Sequence, residues 1–157
     1  MTSEDNNLLD LVLWPDPLLS TVCDPVPDDA FGSDDLMKQV ADMIYTMYAN
    51  KGIGLAANQV GFLNRVIIIS KSPEKPTGLP LVIINPKILS RGTKFQTLRE
   101  GCLSFPGQQA IRRRNQRVSF EAQDLYGFVY NWQSRDLQAQ CFAHELDHIN
   151  GKNFLQK

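Results

Sequence analysis

Residues 144–148 read His-Glu-Leu-Asp-His and contain both histidines of the 157-residue chain. On a helix, positions i and i+4 lie about 40° apart, at about 100° per residue. His144 and His148 therefore share a face and can reach one metal ion. Glu145 stands one step round, beside such an ion without ligating it, where a general base for a metal-activated water belongs. So short a motif also arises by chance, and two buried imidazoles would then need other partners. Leu137 and Cys141 fall on the histidine face, and Phe142, Leu146 and Ile149 fall on the other side. A helix apolar on two sides is a buried one, so the histidines are expected inside, near an apolar pocket. Catalytic metal sites usually take three protein ligands. With no third histidine in the chain, the remaining one must be a carboxylate or a thiolate.

Two further segments have residues suited to chemistry. Residues 100–104 read Glu-Gly-Cys-Leu-Ser, followed by Phe-Pro-Gly. A thiolate at Cys102 would be a good soft ligand for zinc or ferrous iron, although a single cysteine is more commonly a small buried apolar residue. That plainer reading suits Cys23 and Cys141 better. A nucleophilic Cys–His pair is the other option, and it would waste two histidines already at metal spacing. Residues 52–59 read Gly-Ile-Gly-Leu-Ala-Ala-Asn-Gln. They match a dinucleotide fingerprint in form, but they follow a helix and lead into a strand, the reverse of its required setting. The bland reading is a glycine-rich connection. The sharper one is a loop that a substrate backbone can approach closely, with Gln59 offering an amide donor to a developing oxyanion.

The surrounding elements must position these groups. Ser33-Asp34-Asp35, followed by apolar residues at helical spacing, predicts a helix over 34–49. The β-branched runs 65–70 and 81–85, each followed by proline, predict buried strands. Alternation over 117–132 around an Asp124–Gly127 turn predicts a hairpin. Ser134 is placed to cap a last helix over 135–150, with Gly151 beyond it. Helices flanking a strand-rich middle indicate an α+β fold. Length predicts one domain over 1–157. The chain is 43% hydrophobic and 21% charged, with a formal net charge of −1. That balance leaves no global nucleic-acid footprint. No apolar run is long enough to span a bilayer, and the acidic start is unlike a signal or transit peptide. Three cysteines are too few for a disulfide scaffold. A cytoplasmic protein is expected, with no membrane partner.

Taken together, Gly-x-Gly-Leu-Ala-Ala-x-Gln, Glu-Gly-Cys-Leu-Ser and His-Glu-x-x-His, in this order, resemble the peptide deformylase family. The stretch 12–26, with Trp14-Pro15-Asp16-Pro17, also looks like that family's start, so the resemblance covers nearly the whole chain. It implies antiparallel sheets around a central C-terminal helix carrying the metal motif. It implies Cys102, His144 and His148 as ligands of one divalent metal, Fe²⁺ in cells, with Zn²⁺ or Ni²⁺ as alternatives in purified protein. It implies hydrolysis of the N-formyl group from formyl-Met ends of nascent proteins by a hydroxide made at the metal. Glu145 would be the general acid/base, with Gln59 and the Leu103 N–H holding the oxyanion. Ile53, Gly54, Gly101, Leu137 and Cys141 would form the substrate pocket, and Glu100 would support the ligands from behind.

Gln140 and Gln109 depart from the resemblance, standing where an aliphatic residue and an arginine are common. The cluster Arg112-Arg113-Arg114 with Arg117 is expected to form a solvated loop or to take an ion-paired structural role, with weak ribosome contact as the alternative. The end of the sequence resembles shortened forms, bacteriophage ones among them, that lack a C-terminal helix extension. A monomer is expected. A different hydrolase built on the same motif, such as a peptidase, and a catalytically dead metal-binding module are the competing readings. The dead module should lack Glu145 or Gln59, and both are present.

Overall fold

The computed structural model describes residues 6–75, 78–153 and 155. Its regular elements are helix α1 (Asp34–Ala49), strands β1 (Gly54–Ala56), β2 (Val66–Ile69), β3 (Leu81–Arg91), β4 (Phe95–Gly101), β5 (Gln109–Asn115), β6 (Arg117–Gln123) and β7 (Val129–Arg135), and helix α2 (Asp136–Ile149). Five strands form an antiparallel sheet in the order β1-β2-β3-β6-β7, and β4 and β5 form a separate two-stranded sheet. The architecture is α+β, with the motif helix at its centre.

The unbroken β-branched run in β2 has a direct packing reason. Ile67 and Ile69 join the cluster around Phe120, Ala139 and Phe142, on the side of α2. Val66 and Ile68 join the cluster around Val40, Met43 and Met47, on the side of α1. A strand covered on both faces cannot alternate apolar with polar residues. On the α2 side, Phe120 stacks on Phe142 with ring centroids 4.1 Å apart. The Ser33 hydroxyl caps α1 by accepting from the Leu36 N–H at 3.2 Å.

Three boundaries differ from expectation. Pro86 does not end its strand: β3 runs on to Arg91. The ladder to β6 shifts register between Ile84 and Lys87, which leaves the proline, lacking an N–H, outside the regular pairing. Asn85 adopts φ 53° there and ties the irregularity to Val26 and Gln123 through its side-chain amide. Ser134 does not cap α2. It belongs to β7, and its hydroxyl donates to the Val118 carbonyl, while Arg135 occupies the cap position without a side-chain bond. The arginine run lies in strand β5 rather than in a loop. Arg113 faces outward over the Phe95 ring at 4.0 Å, and Arg114 faces inward with its side chain 8% exposed. Arg114 is therefore unavailable to an outside partner. No helix among the described residues is long and apolar enough to cross a membrane.

Candidate metal centre and pocket

The three candidate ligands arrive from two elements. His144 and His148 project from α2, and Cys102 follows directly after β4. Their ligand atoms all lie within 4.8 Å of one another, with Cys102 Sγ 3.2 Å from His148 Nε2. The half-exposed Cys102 faces two buried imidazoles. His144 directs Nδ1 at Glu100 Oε1, 2.9 Å away. That contact leaves its Nε2 for the shared centre and fixes the ring, the usual device behind a metal-ligating histidine. A thiolate with two imidazoles is a donor set suited to zinc or ferrous iron.

Glu100 is the hub behind the ligands. Arg114 grips it twice, Nε to Oε2 at 2.6 Å and Nη2 to Oε1 at 3.0 Å. The third donor of Arg114 reaches Asp147 Oδ2 on α2 at 2.9 Å. Gln140 Nε2 also donates to Glu100 Oε2 and to the Arg112 carbonyl, while its Oε1 accepts from Gln96 Nε2 at 3.2 Å. Burial disfavours the Glu100 charge, but bonds from His144 and Arg114 and the Arg114 charge win, holding its carboxyl at about 2. A buried anion so fully bonded can join two elements firmly. This polar seam sets the two-stranded sheet, with Cys102 at its end, against the helix with the histidines.

Gln59 sits on the short 3₁₀ turn Ala57–Val60, which closes on Gly61 with φ 93°. Its Oε1 accepts from the Ala56 N–H at 2.9 Å. Its Nε2 is thereby aimed at Ser104 Oγ, 3.1 Å away, and at Cys102 Sγ, 3.4 Å away. The neighbouring Asn58 Nδ2 donates to the His148 carbonyl at 2.6 Å, which ties this turn to the motif helix. An N-terminal strap closes the same region. Val12 N–H donates to the Gln59 carbonyl, and Trp14 N–H donates to that of Ser104. The Trp14 ring stacks on Phe105 with centroids 5.3 Å apart.

A cavity of about 730 Å³ opens onto this constellation. Gln59, Cys102, Leu103, His144, Glu145, Glu100, Ile53, Gly54, Gly101, Leu137 and Cys141 all line it. His148, fully buried, stands behind them. Gln140 and Gln109 line it as well, and Leu11 and Leu13 of the strap form part of its wall. Glu145 is 4% exposed, and its Oε1 has no hydrogen-bond partner. Burial raises its carboxyl to about 7, with the Glu100 charge adding and that of His144 opposing. His148 Nδ1 is likewise buried without a partner, and burial lowers that imidazole to about 3, reinforced by His144 and Arg114. For His144, burial acts downward, but Glu145, Cys102 and Glu100 outweigh it and raise the ring to about 10. Two buried imidazoles and a thiol whose ligand atoms converge, beside a buried carboxylate oxygen without a partner, suit a centre that binds a cation.

The residues that sequence reasoning missed are part of the scaffold, Asp147, Gln96, Asn58 and Ser104; for Arg114 it left an ion-paired role open without naming the partner. Charge complementarity between the arginine run and the acids around the histidines was the available signal. It needed the β4–β5 pairing to become readable.

The polypeptide deformylase family profile matches residues 8–157. The chain is 42% identical over 148 residues to a peptide deformylase of Alkalilimnicola ehrlichii, covering 94% of this chain and 80% of that one. It is 41% identical to one of Hydrogenovibrio crunogenus, at 94% and 83% coverage. Among solved structures, a class I type b peptide deformylase from Acinetobacter baumannii with Met-Ala-Ser bound matches with TM-score 0.90. That match has 28% identity and covers 96% of this chain and 98% of that one. The actinonin-bound form matches at TM-score 0.89 and 28% identity, with 96% and 97% coverage. The Thermotoga maritima enzyme matches at TM-score 0.87 and 31% identity, with 96% and 97% coverage. The chain belongs to the polypeptide deformylase family and is an enzyme of that class. Peptide deformylases are metal-dependent, and Cys102, His144 and His148 are the one group of this kind found among the described residues.

Proposed function

We propose that this chain removes the N-formyl group from the formyl-Met ends of newly made proteins, using one divalent metal held by Cys102, His144 and His148. The observation that carries the reading is the convergence of these three ligand atoms within 4.8 Å on a cavity that Glu145 and Gln59 also line. The buried, unpartnered Glu145 Oε1 fits a centre completed by an ion and a water. Fe²⁺ is the proposed metal in cells, with Zn²⁺ or Ni²⁺ as alternatives. When bound, such an ion polarises a carbonyl and brings the pKa of a water towards neutral.

The side chains then have separable tasks. Glu145 accepts a proton from the attacking water and passes it to the leaving amine as the C–N bond breaks. The products are formate and a free amino terminus. Gln59 Nε2, its orientation fixed through the Ala56 N–H, donates to the oxygen of the former formyl carbonyl as that oxygen gains charge. The Leu103 N–H is the second proposed donor. Ile53, Gly54, Gly101, Leu137 and Cys141 receive the methionine side chain. Glu100 positions His144. The two apolar clusters share one sheet, which supports reading the chain as one domain. Formylated ends arise where proteins are made, favouring a cytoplasmic site of action. A monomer is the proposed state.

The test is formate release from formyl-Met-Ala-Ser by protein purified without oxygen and loaded in turn with Fe²⁺, Ni²⁺ or Zn²⁺. Glu145→Gln, checked for metal content, runs beside it. Release that needs metal and collapses in the variant is the expected result. A metal-loaded protein that releases no formate would remove the reading.

A further inference from the structure

The charges at the two ends of the cavity differ. At the closed end the acids are buried, with Glu100 6% and Glu145 4% exposed, and Glu100 is neutralised by Arg114. At the mouth, the exposed charged side chains among the lining residues are Lys51 and Arg99. Both are cations, and neither has an ion pair among the described residues. Lys51 adjoins the wall made by residues 52–54. Arg99 lies in β4, next to the wall made by residues 101–103. Arg99 Nη1 donates to Gln109 Oε1 at 3.2 Å across the β4–β5 ladder, which holds the guanidinium at the rim without neutralising it. The chain as a whole carries a formal net charge of −1, so this positive rim is a local arrangement and does not follow from a basic surface.

On the deformylase reading above, the formyl group and the methionine side chain occupy the closed end. The residues that follow methionine then run outward through the exposed part of the cavity, whose charged lining side chains are Lys51 and Arg99. We propose that these two cations make the enzyme select formyl-Met peptides with acidic side chains at the second or third residue. Lys51 and Arg99 act on specificity through charge, without touching the reacting atoms. Exposed pairs of this kind are weak singly. Their sum at one rim, helped by steering of the incoming peptide, corresponds to roughly a three- to tenfold preference in kcat/KM. The preference fades as salt shortens the screening length below about 8 Å.

The experiment compares kcat/KM for formyl-Met-Asp-Asp, formyl-Met-Lys-Lys and the neutral formyl-Met-Ala-Ser at low and high salt. The enzymes are the metal-loaded parent, Lys51→Glu, Arg99→Glu, the double variant, and Lys87→Glu as an exposed charge reversal outside the cavity lining. The expected acidic-to-basic ratio exceeds one in the parent through a lower KM. It falls with salt, inverts in the double variant and stays at the parental value in Lys87→Glu. A ratio of one, or a ratio unaltered by salt or by the double reversal, overturns the proposal while hydrolysis of the neutral peptide leaves the deformylase reading standing. Failure of the parent to release formate from any of the three peptides removes that reading, and the selectivity with it.

Discussion

A Cβ added to Gly54 would stand 2.5 Å from Glu145 Oε2 and 3.1 Å from its Cγ and Cδ. The first position of β1 and the carboxylate of the motif helix therefore occupy neighbouring space with no room for a methyl group. Gly54→Ala must displace the end of a side chain that is already buried. Because that end is flexible, the fold survives while the carboxylate moves. Misplacement of a reacting group by about 1 Å costs on the order of 10²-fold. The expected kcat of Gly54→Ala is thus about a hundredth of the parent's, with metal content and Tm near parental values. A variant with full kcat would show that Glu145 does not work from this position.

Gln140 is 2% exposed, and its amide is spent on Glu100, Arg112 and Gln96. Gln140→Leu should fill the space but strip a donor from the carboxylate behind His144. Leaving buried polar groups unpaired costs about 1–3 kcal/mol, and loosening a histidine's support typically costs 10–100-fold in metal affinity. Competition with a chelator measures the affinity, and thermal unfolding with and without metal measures the stability. Parental metal affinity in a stable Gln140→Leu protein would reduce Gln140 to a packing residue.

Gln59 separates by substitution into an acceptor and a donor. Gln59→Glu keeps an oxygen for the Ala56 N–H but loses the N–H donors now aimed at Cys102 and Ser104. Gln59→Ala loses both functions. If the donor stabilises the developing oxyanion, each variant falls by about 10²–10³ in kcat, and Gln59→Ala alone also forfeits the bond that ends β1. Steady-state kinetics on formyl-Met-Ala-Ser decides this, and undiminished turnover by Gln59→Glu would exclude the donor role.

Alkaline stability reports on Cys23, which is 2% exposed and whose thiol burial pushes up from 9.0 to about 11, with Asp24 adding and Arg65 opposing. The folded state holds this proton more tightly than the unfolded chain does. The associated stability is complete below about pH 9 and is lost as pH rises from there towards 11. Tm of the metal-free protein should fall across that interval, and the fall should be smaller in Cys23→Ala. That variant should be less stable at pH 7 by about 1 kcal/mol through the small void it leaves. Equal alkaline losses in the two proteins would assign the effect to other groups.

Much of the fold was legible because its signals are local. The 3.6-residue period marked α1, and the β-branched run marked β2 because a strand with cover on both faces has no polar side to show. The Asp124–Gly127 turn marked the β6–β7 hairpin, where Asp124 Oδ1 accepts from the Tyr126 and Phe128 N–H groups. The β4–β5 pair was not legible. Arg112, Arg113 and Arg114 read as one cluster, either solvated or ion-paired, and only the pleat separates the outward Arg113 from the inward, ion-paired Arg114. Pro86 was misleading for a related reason, since a register shift accommodates it within β3, and such shifts depend on the partner strand.

At the candidate site, residue type and spacing alone determined that His144 and His148 share a helix face with Glu145 beside them, because helical geometry follows from the backbone. The sequence also determined that no third histidine exists. The three short motifs together indicated the family. The tertiary structure decided the rest: that Cys102 Sγ lies 3.2 Å from His148 Nε2, that Gln59 turns its donor inward, and that Gln140 serves Glu100 more than it lines a pocket. It also decided that the acids of the cavity lie deep while Lys51 and Arg99 stand at its mouth. These are relations between residues far apart in the chain. They depend on strand register and on how the two-stranded sheet docks against α2, which are set by the sum of many contacts across the molecule.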